Sequence, residues 1–443
     1  MRFYIPKYLS LQENYPAIFE YIKEKTKHPG VQKHTKNMGW MFFSKISGMV
    51  VAFITTAYIA RHLGPTNYGQ LSYALSFTGL FGFLASLGID QILYRDLIRY
   101  PEKRDVYMGT ALVLRVASGI ITVILCTMSA FIWSMNDVSL ILIFLVSLTF
   151  IFSSFQLLGY EFQADAKSKF PSILAIIVVL ILNALKIIVI LSNQGVIYLA
   201  GILILEPILY GIGYWYLRTR EYGSIKNWQF DKTIAISILK DSVPLIFASA
   251  FFAVYARIDQ VMIKNMINTE SVGLYDSAVR ISEIWYFIPN IIVAALFPAI
   301  INAKKISNEL YYKRAKKLFL LVISVSVLTA LPTALLSKYL ITIIFGAGFI
   351  GAYSVLQIYV WSNIGNALNL LIGAFLVTEN MTKILSLATF CGMITNVILN
   401  LFLIPIYGMP GAAYASLISY TIPFFSLFLF KEARKLMLNI LTK

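Results

Sequence analysis

The chain has 443 residues, of which 58% are hydrophobic and only 13% charged, and it carries a formal net charge of +16. A water-soluble protein of this composition would aggregate, and the Lys and Arg sit between long apolar runs rather than on one soluble face, which excludes a nucleic-acid partner. Two cysteines and three histidines without ligand spacing exclude a disulfide framework, a metal site and a metal cofactor.

Taken in chain order, residues 1–37 form a polar, basic arm that mixes Phe3, Tyr4, Tyr8, Phe19 and Tyr21 with Lys and Glu. The first apolar run begins near residue 40 and is long enough to anchor the chain, so no cleavable signal peptide is expected. Crossing the hydrocarbon core takes about 20 apolar residues in a helix. Twelve such windows follow, at roughly 40–61, 69–93, 109–133, 138–159, 170–191, 196–217, 243–264, 281–301, 318–337, 353–377, 384–404 and 411–430. Helices are the spanning element because backbone groups in lipid must be satisfied within the segment. The alternating segments of a β-barrel are absent. The expected fold is therefore an all-α polytopic membrane protein. Trp40, Trp133, Trp215, Trp285 and Trp361 fall near window ends, where amphipathic rings anchor to the interface.

Alternate connections differ sharply in charge. The arm, the 94–108 loop (Arg95, Arg99, Lys103, Arg104), the 160–169 loop, the 218–241 and 302–317 loops, Lys383 and the tail hold most of the Lys and Arg. The opposite connections are nearly bare, with Arg61, Lys264 and Lys338 at their edges. The positive-inside rule places both termini in the cytoplasm, and the basic loops are expected to touch anionic membrane lipids.

The chain also repeats itself. Ile59–Ala74 (IARHLGPTNYGQLSYA) matches Ile263–Ala278 (IKNMINTESVGLYDSA) at a shift of 204, pairing Gly69 with Gly273. Gly159–Lys169 matches Gly373–Lys383 at a shift of 214, pairing Asp165 with Glu379. Ile181-Leu182-Asn183 matches Ile398-Leu399-Asn400, and Gly195, Tyr198 and Pro207 match Gly411, Tyr414 and Pro423 at a shift of 216. Windows one to six thus map onto seven to twelve with the same orientation, a parallel repeat of the kind found in secondary transporters. The expected organisation is an arm (1–37), an N-lobe (38–217), a linker (218–241), a C-lobe (242–432) and a tail (433–443), with a central cavity between the lobes.

The first two windows, with ARHLGPTNYGQLSYALSF at residues 60–77, resemble the polysaccharide-transporter branch of the multidrug/oligosaccharidyl-lipid/polysaccharide exporter superfamily, whose best-known members are the O-antigen flippases. The resemblance covers residues from about 38 to 435. It implies a flippase in the bacterial inner membrane that moves an undecaprenyl-pyrophosphate-linked oligosaccharide to the outer leaflet for O-antigen, capsule or another surface polysaccharide. It further implies a monomer that hands its cargo to a polysaccharide polymerase.

Within the windows stand charges that need a reason, since an ionisable group at membrane depth must face protein, water or a partner. Lys45 and Arg115 fall toward the basic connections, with Asp90 at the same level. Lys186 and Arg257 fall toward the opposite side, near Asp259, Arg280 and Glu283, while Glu206 lies near mid-membrane directly before Pro207. With the resemblance in view, these cations form a ladder for the pyrophosphate, and the carboxylates are gating or ion-pair candidates. The structural alternatives are equally concrete. Asp90 and Arg280 are near enough to window ends to snorkel. Arg257 and Asp259, two apart, point to nearly opposite sides of a helix, one of them into an inter-helix ion pair. Lys186 and Glu206 form a buried pair between adjacent helices, and Asn183, Asn396 and Asn400 join helices by hydrogen bonds. A cation-coupled drug antiporter would be expected to place an acid in window one, which offers only Lys45. A membrane glycosyltransferase or polymerase would need catalytic groups in large outer connections, and these are short, so no enzyme is expected.

Overall fold

The computed structural model describes residues 29–133, 137–224 and 227–442. Residues 1–28 of the N-terminal arm lie outside it, and of Lys45 only the backbone is described. All regular structure among the described residues is helical, as lipid requires of a spanning chain.

Helix α1 (Pro29–Gly79) is broken at Gly64, whose φ of 71° and ψ of 170° are non-helical. Glycine adopts this conformation without a Cβ clash, and Pro65 then starts a new helical segment where an N–H has no partner to lose. The windows 40–61 and 69–93 thus share this element, and the second continues through the short α2 (Gly82–Ser86) and α3 (Ile89–Arg99). Then come α4 (Arg104–Ile132), the pieces α5 (Asp137–Ser147), α6 (Thr149–Ser153) and α7 (Leu158–Ala164), α8 (Lys169–Leu191) and α9 (Val196–Tyr222). The rest comprises α10 (Lys232–Met266), α11 (Thr269–Ile284), α12 (Phe287–Lys304), α13 (Asn308–Leu335), α14 (Ser337–Phe345), α15 (Tyr353–Tyr359) and α16 (Ser362–Thr378). It ends with α17 (Thr382–Tyr407), α18 (Met409–Ser426) and α19 (Lys431–Thr442). Asp231, Asn268 and Ser307 cap α10, α11 and α13, each side chain accepting from the amide three residues on, which satisfies an otherwise orphaned donor.

Among the described residues, ten helical stretches are long and apolar enough to cross a membrane, or eleven when α15 and α16, bent by 47°, count as one. Ile, Leu and Phe side chains stand exposed all along them, as a lipid-facing belt must. Breaks recur along the chain. α1 ends at Gly79 and α11 at Ile284, while α5 ends at Ser147 and α15 at Tyr359. Both pairs are separated by offsets between the 204 and 214 of the sequence matches.

Packing is uneven between the two faces. Away from the basic connections, one core draws on both halves, joining Tyr68, Tyr73, Leu142 and Leu199 to Val272, Tyr275, Phe345 and Val355. Beside the basic connections there are two separate cores. One contains Ile89, Leu93, Met108, Leu157 and Ile238, the other Val293, Leu318, Phe375 and Met437. The start of α10 belongs to the first of these. Arg95 pairs with Asp241 at 2.8 Å, and a Cβ on Gly88 would lie 2.7 Å from that of Leu245. The segment expected as a C-terminal tail is the amphipathic α19, which buries Ala433, Leu436, Met437 and Ile440 on the second core.

Candidate functional site

On the shared side, the halves meet through residues that the repeat makes equivalent. A Cβ on Gly69 would lie 2.0 Å from the Thr269 carbonyl oxygen, and one on Gly273 would lie 2.1 Å from that of Pro65. Only glycine lets these two backbones approach so closely. One turn along, Ser72 donates to Asp276 at 3.0 Å, again across the offset of 204. Asp276 is 1% exposed and is the hub of the seam. It accepts from the Tyr68 hydroxyl (2.5 Å), the Gln260 amide (3.0 Å) and Arg280 Nε (2.7 Å), and Ser76 donates to the Gln260 carbonyl. At the end of the seam, Arg61 donates to the carbonyls of Ile343 and Ile344. These are the last carbonyls of α14, where the helix dipole favours a cation.

Next to the seam lies a half-buried charged cluster. Lys186 on α8 feels both Glu206 on α9 and Arg280 on α11. Arg257 on α10 feels Asp276 and Glu283, and its stem lies 3.5 Å from where a Gly79 Cβ would be. The structure therefore brings Lys186, Glu206, Arg257, Arg280 and Glu283 together from both halves. Among the described residues Lys186, Glu206, Arg257 and Glu283 form no ion pair within 4.0 Å. Three cations, Lys186, Arg257 and Arg280, stand here with three carboxylates, Glu206, Glu283 and Asp276, and only Arg280 and Asp276 are in an ion pair. Lys186 and Arg257 are the two cations that can turn to an anion.

Arg115 and Asp90 lie apart from that cluster. Arg115 is 8% exposed, sits 3.7 Å from Asp90, and donates to the Ala85 carbonyl at 3.3 Å together with Ser118 at 3.0 Å. These donors satisfy backbone that the broken second window leaves without a helical partner. Asp259 faces a different environment. It accepts from Tyr275 (2.8 Å), Asn400 (2.6 Å) and Ser416, and Asn400 in turn donates to Asn396 at 3.1 Å. Arg257 and Asp259 thus have different surroundings, and among the described residues neither is in an ion pair within 4.0 Å. Hydroxyls and amides satisfy Asp259 instead, which is a sufficient answer to burial. Asn396 and Asn400 do join helices; Asn183 donates within α8 to the Val179 carbonyl.

Asp276, Tyr68, Ser72 and Gln260 were not among the sequence candidates. Their signal was present in the repeat: Asp276 stands in the matched segment LYDSA, opposite Ser72 in QLSYA. Arg218 was also missed. It is buried at the end of α9 against Glu161 (3.3 Å) and Asp105 (2.7 Å).

A family model described as polysaccharide biosynthesis protein matches residues 34–304. The capsular polysaccharide biosynthesis protein CapF of Staphylococcus aureus is 24% identical over 411 residues, covering 89% of this chain and 98% of that protein. The probable low-salt glycan biosynthesis flippase Agl15 of Haloferax volcanii is 21% identical over 392 residues, covering 86% and 80%. Among solved structures, the lipid II flippase MurJ in an inward closed conformation superposes with a TM-score of 0.70 at 14% identity, covering 92% of this chain and 91% of that one.

Proposed function

This chain belongs to the polysaccharide biosynthesis protein family, and from that premise we propose that it is a flippase for an undecaprenyl-pyrophosphate-linked oligosaccharide, working in the bacterial inner membrane with both termini in the cytoplasm. The observation that carries this reading is the cluster of Lys186, Arg257 and Arg280, gathered from both halves where they meet. Isoprenyl tails can stay in lipid, but a pyrophosphate cannot cross hydrocarbon without replacement of its hydration. Lys45 and Arg115 are the first contacts for the phosphates, with Arg115 exchanging Asp90 for them, and Lys186 and Arg257 are the second. The carrier is a non-catalytic monomer that passes its cargo to a polymerase.

The two halves are twelve spans in two six-helix lobes, 38–217 and 242–432, around a cavity open to the basic face. Support comes from equivalent residues in contact, Gly69 with Gly273 and Ser72 with Asp276. Residues related by a two-fold touch each other only beside its axis. A shared core on one face and two separate cores on the other are what a carrier closed to the outside and open to the cytoplasm needs. Opening outward means breaking the Asp276 hub.

The test is translocation in vesicles containing the purified protein, with a fluorescent undecaprenyl-pyrophosphate disaccharide as cargo. Protein-dependent transfer is expected, slowed at least tenfold by Lys186→Ala or Arg257→Ala. No transfer of the lipid, together with gradient-driven uptake of small organic cations, would sink this reading in favour of an antiporter.

A further inference from the structure

The breaks in the helices are lined differently in the two halves. In the second half, Trp285 and Tyr286 follow the end of α11, and Ser362 follows the break after α15. Tyr286 stands with Glu283 and Ser362, and Tyr255 of α10 stands with Tyr286, Asn369 of α16 and Tyr420 of α18. Tyr255 and Tyr420 pack with ring centroids 4.5 Å apart, and Asn369 donates to the Tyr420 carbonyl at 3.0 Å. Tyr286 lies near Tyr359, Tyr420, Ser362 and Glu283.

In the first half, the equivalent positions are apolar. At the offset of 204, Tyr255, Glu283, Trp285 and Tyr286 correspond to Val51, Gly79, Phe81 and Gly82. Aligned on the breaks after Ser147 and Tyr359, Ser362 and Asn369 correspond to Phe150 and Leu157, and at the offset of 216 Tyr420 corresponds to Ile204. One copy of the repeat thus carries hydrogen-bonding groups where the other carries hydrocarbon.

Loosely bonded buried polar atoms occur in both halves, and in the second they gather at these breaks. The hydroxyls of Tyr255, Tyr286 and Ser362, the Trp285 Nε1 and the Asn369 Oδ1 make no well-formed hydrogen bond, and most of these groups lie side by side, Tyr255 against Asn369 and Tyr286 against Ser362 and Tyr359. Tyr255 is 4% exposed and Ser362 is fully buried, so these atoms are not satisfied by the bulk. Buried polar groups are paired in the great majority of cases, and adjoining hydroxyls and amides that bond only loosely to one another are free to exchange those contacts for a bound molecule. Several hydroxyl donors and acceptors, a carboxylate and aromatic faces are the groups that bind a sugar ring. Its hydroxyls pair with the polar atoms and its C–H face lies on an aromatic ring.

We infer that the second half holds the saccharide of the cargo at Tyr255, Glu283, Trp285, Tyr286, Ser362 and Asn369, while the apolar first-half counterparts carry no sugar contact. This rests on the flippase reading and divides its cargo: phosphates go to the cation cluster and the sugar to the aromatic, hydroxyl-lined half beside Glu283. Glu283 adjoins Arg257, which joins the two subsites.

The experiment compares equilibrium binding of two probes to the full-length protein in nanodiscs: undecaprenyl pyrophosphate, and the same lipid carrying one N-acetylglucosamine. Wild type is expected to bind the sugar-bearing probe at least tenfold more tightly. In the double variant Tyr255→Phe, Tyr286→Phe, which removes only hydroxyls, that preference should fall to within about twofold, with affinity for the sugarless lipid unchanged. Persistence of the preference in the double variant overturns the inference, as does an equal loss for both lipids. Equal binding of both by wild type also overturns it but leaves the flippase reading standing. Failure to bind either lipid removes the flippase reading itself.

Discussion

The two halves of the chain share a framework but not an interior. Each ties the connection after its fourth window with a carboxylate held by a cation and a tyrosine. Asp165 accepts from Arg104 at 2.7 Å and from Tyr222 at 2.8 Å, and its counterpart Glu379 accepts from Lys304 at 2.7 Å and from Tyr311 at 2.9 Å. Inside, the first half matches buried cations with acids, Arg218 with Glu161 and Asp105, and Arg115 with Asp90. The second half pairs Asp276 with Arg280 but leaves Asp259 to neutral donors and presents Arg257 and Glu283 unpaired beside the seam. The difference teaches that positions directing the chain, namely loops and breaks, are the same in both copies. Positions facing the interior need only be satisfied, and there are several chemical ways to do that.

The largest effect is expected where the copies touch. Gly273→Val places a side chain against the Pro65 carbonyl and should wedge the seam open, with loss of transport. Distances between spin labels at Asn67 and Glu270 should lengthen. Gly195→Ala, with nothing within 4 Å of its Cβ, should leave both unchanged. Unaltered distances in Gly273→Val would show that the halves are not joined there.

Next in size is the buried ion pair of the first half. Arg218→Ala leaves Glu161 uncompensated, which costs about 3–5 kcal/mol, read as a lower melting temperature in detergent. Asp259→Asn in the second half replaces a carboxylate that has no counter-charge, so a smaller loss of about 1 kcal/mol is expected. Equal losses in the two variants would erase the contrast between the paired Arg218 site and the neutrally bonded Asp259 site.

The smallest effect concerns the loop ties. Burial pushes the Asp165 carboxyl up, but the bonds from Arg104 and Tyr222 outweigh it and hold its pKa below the ordinary value. A group depressed in the folded state stabilises it fully above its unfolded pKa, near 4, and loses that contribution as pH falls through the folded value. The melting-temperature difference between wild type and Asp165→Asn should therefore be constant near neutrality and shrink below about pH 4. A difference that grows on acidification would reverse the sign and remove the tie.

Much of the fold was legible without coordinates. Spanning helices follow from runs of Ile, Leu and Phe because lipid leaves the backbone no other partner, and the sequence match of Gly69 with Gly273 picked out two positions where the structure brings backbones too close for a side chain. The grouping of Lys186, Arg257, Arg280 and Glu283 was legible from depth along each helix. The break at Gly64 and the helical nature of α19 were less so, since both depend on what packs beside them.

Sequence alone determined the membrane class, the helical nature of the apolar windows and the uneven charge of alternate connections, because each follows from local composition. Only the tertiary structure decided that Asp276 is the hub, that Asp259 is caged by Tyr275, Asn400 and Ser416, and that Arg115 turns to Asp90 and Ala85. A charge buried at membrane depth announces that it has a partner, but which partner is set by helix rotation and tilt. Those depend on the packing of every neighbour at once, and no single window encodes them.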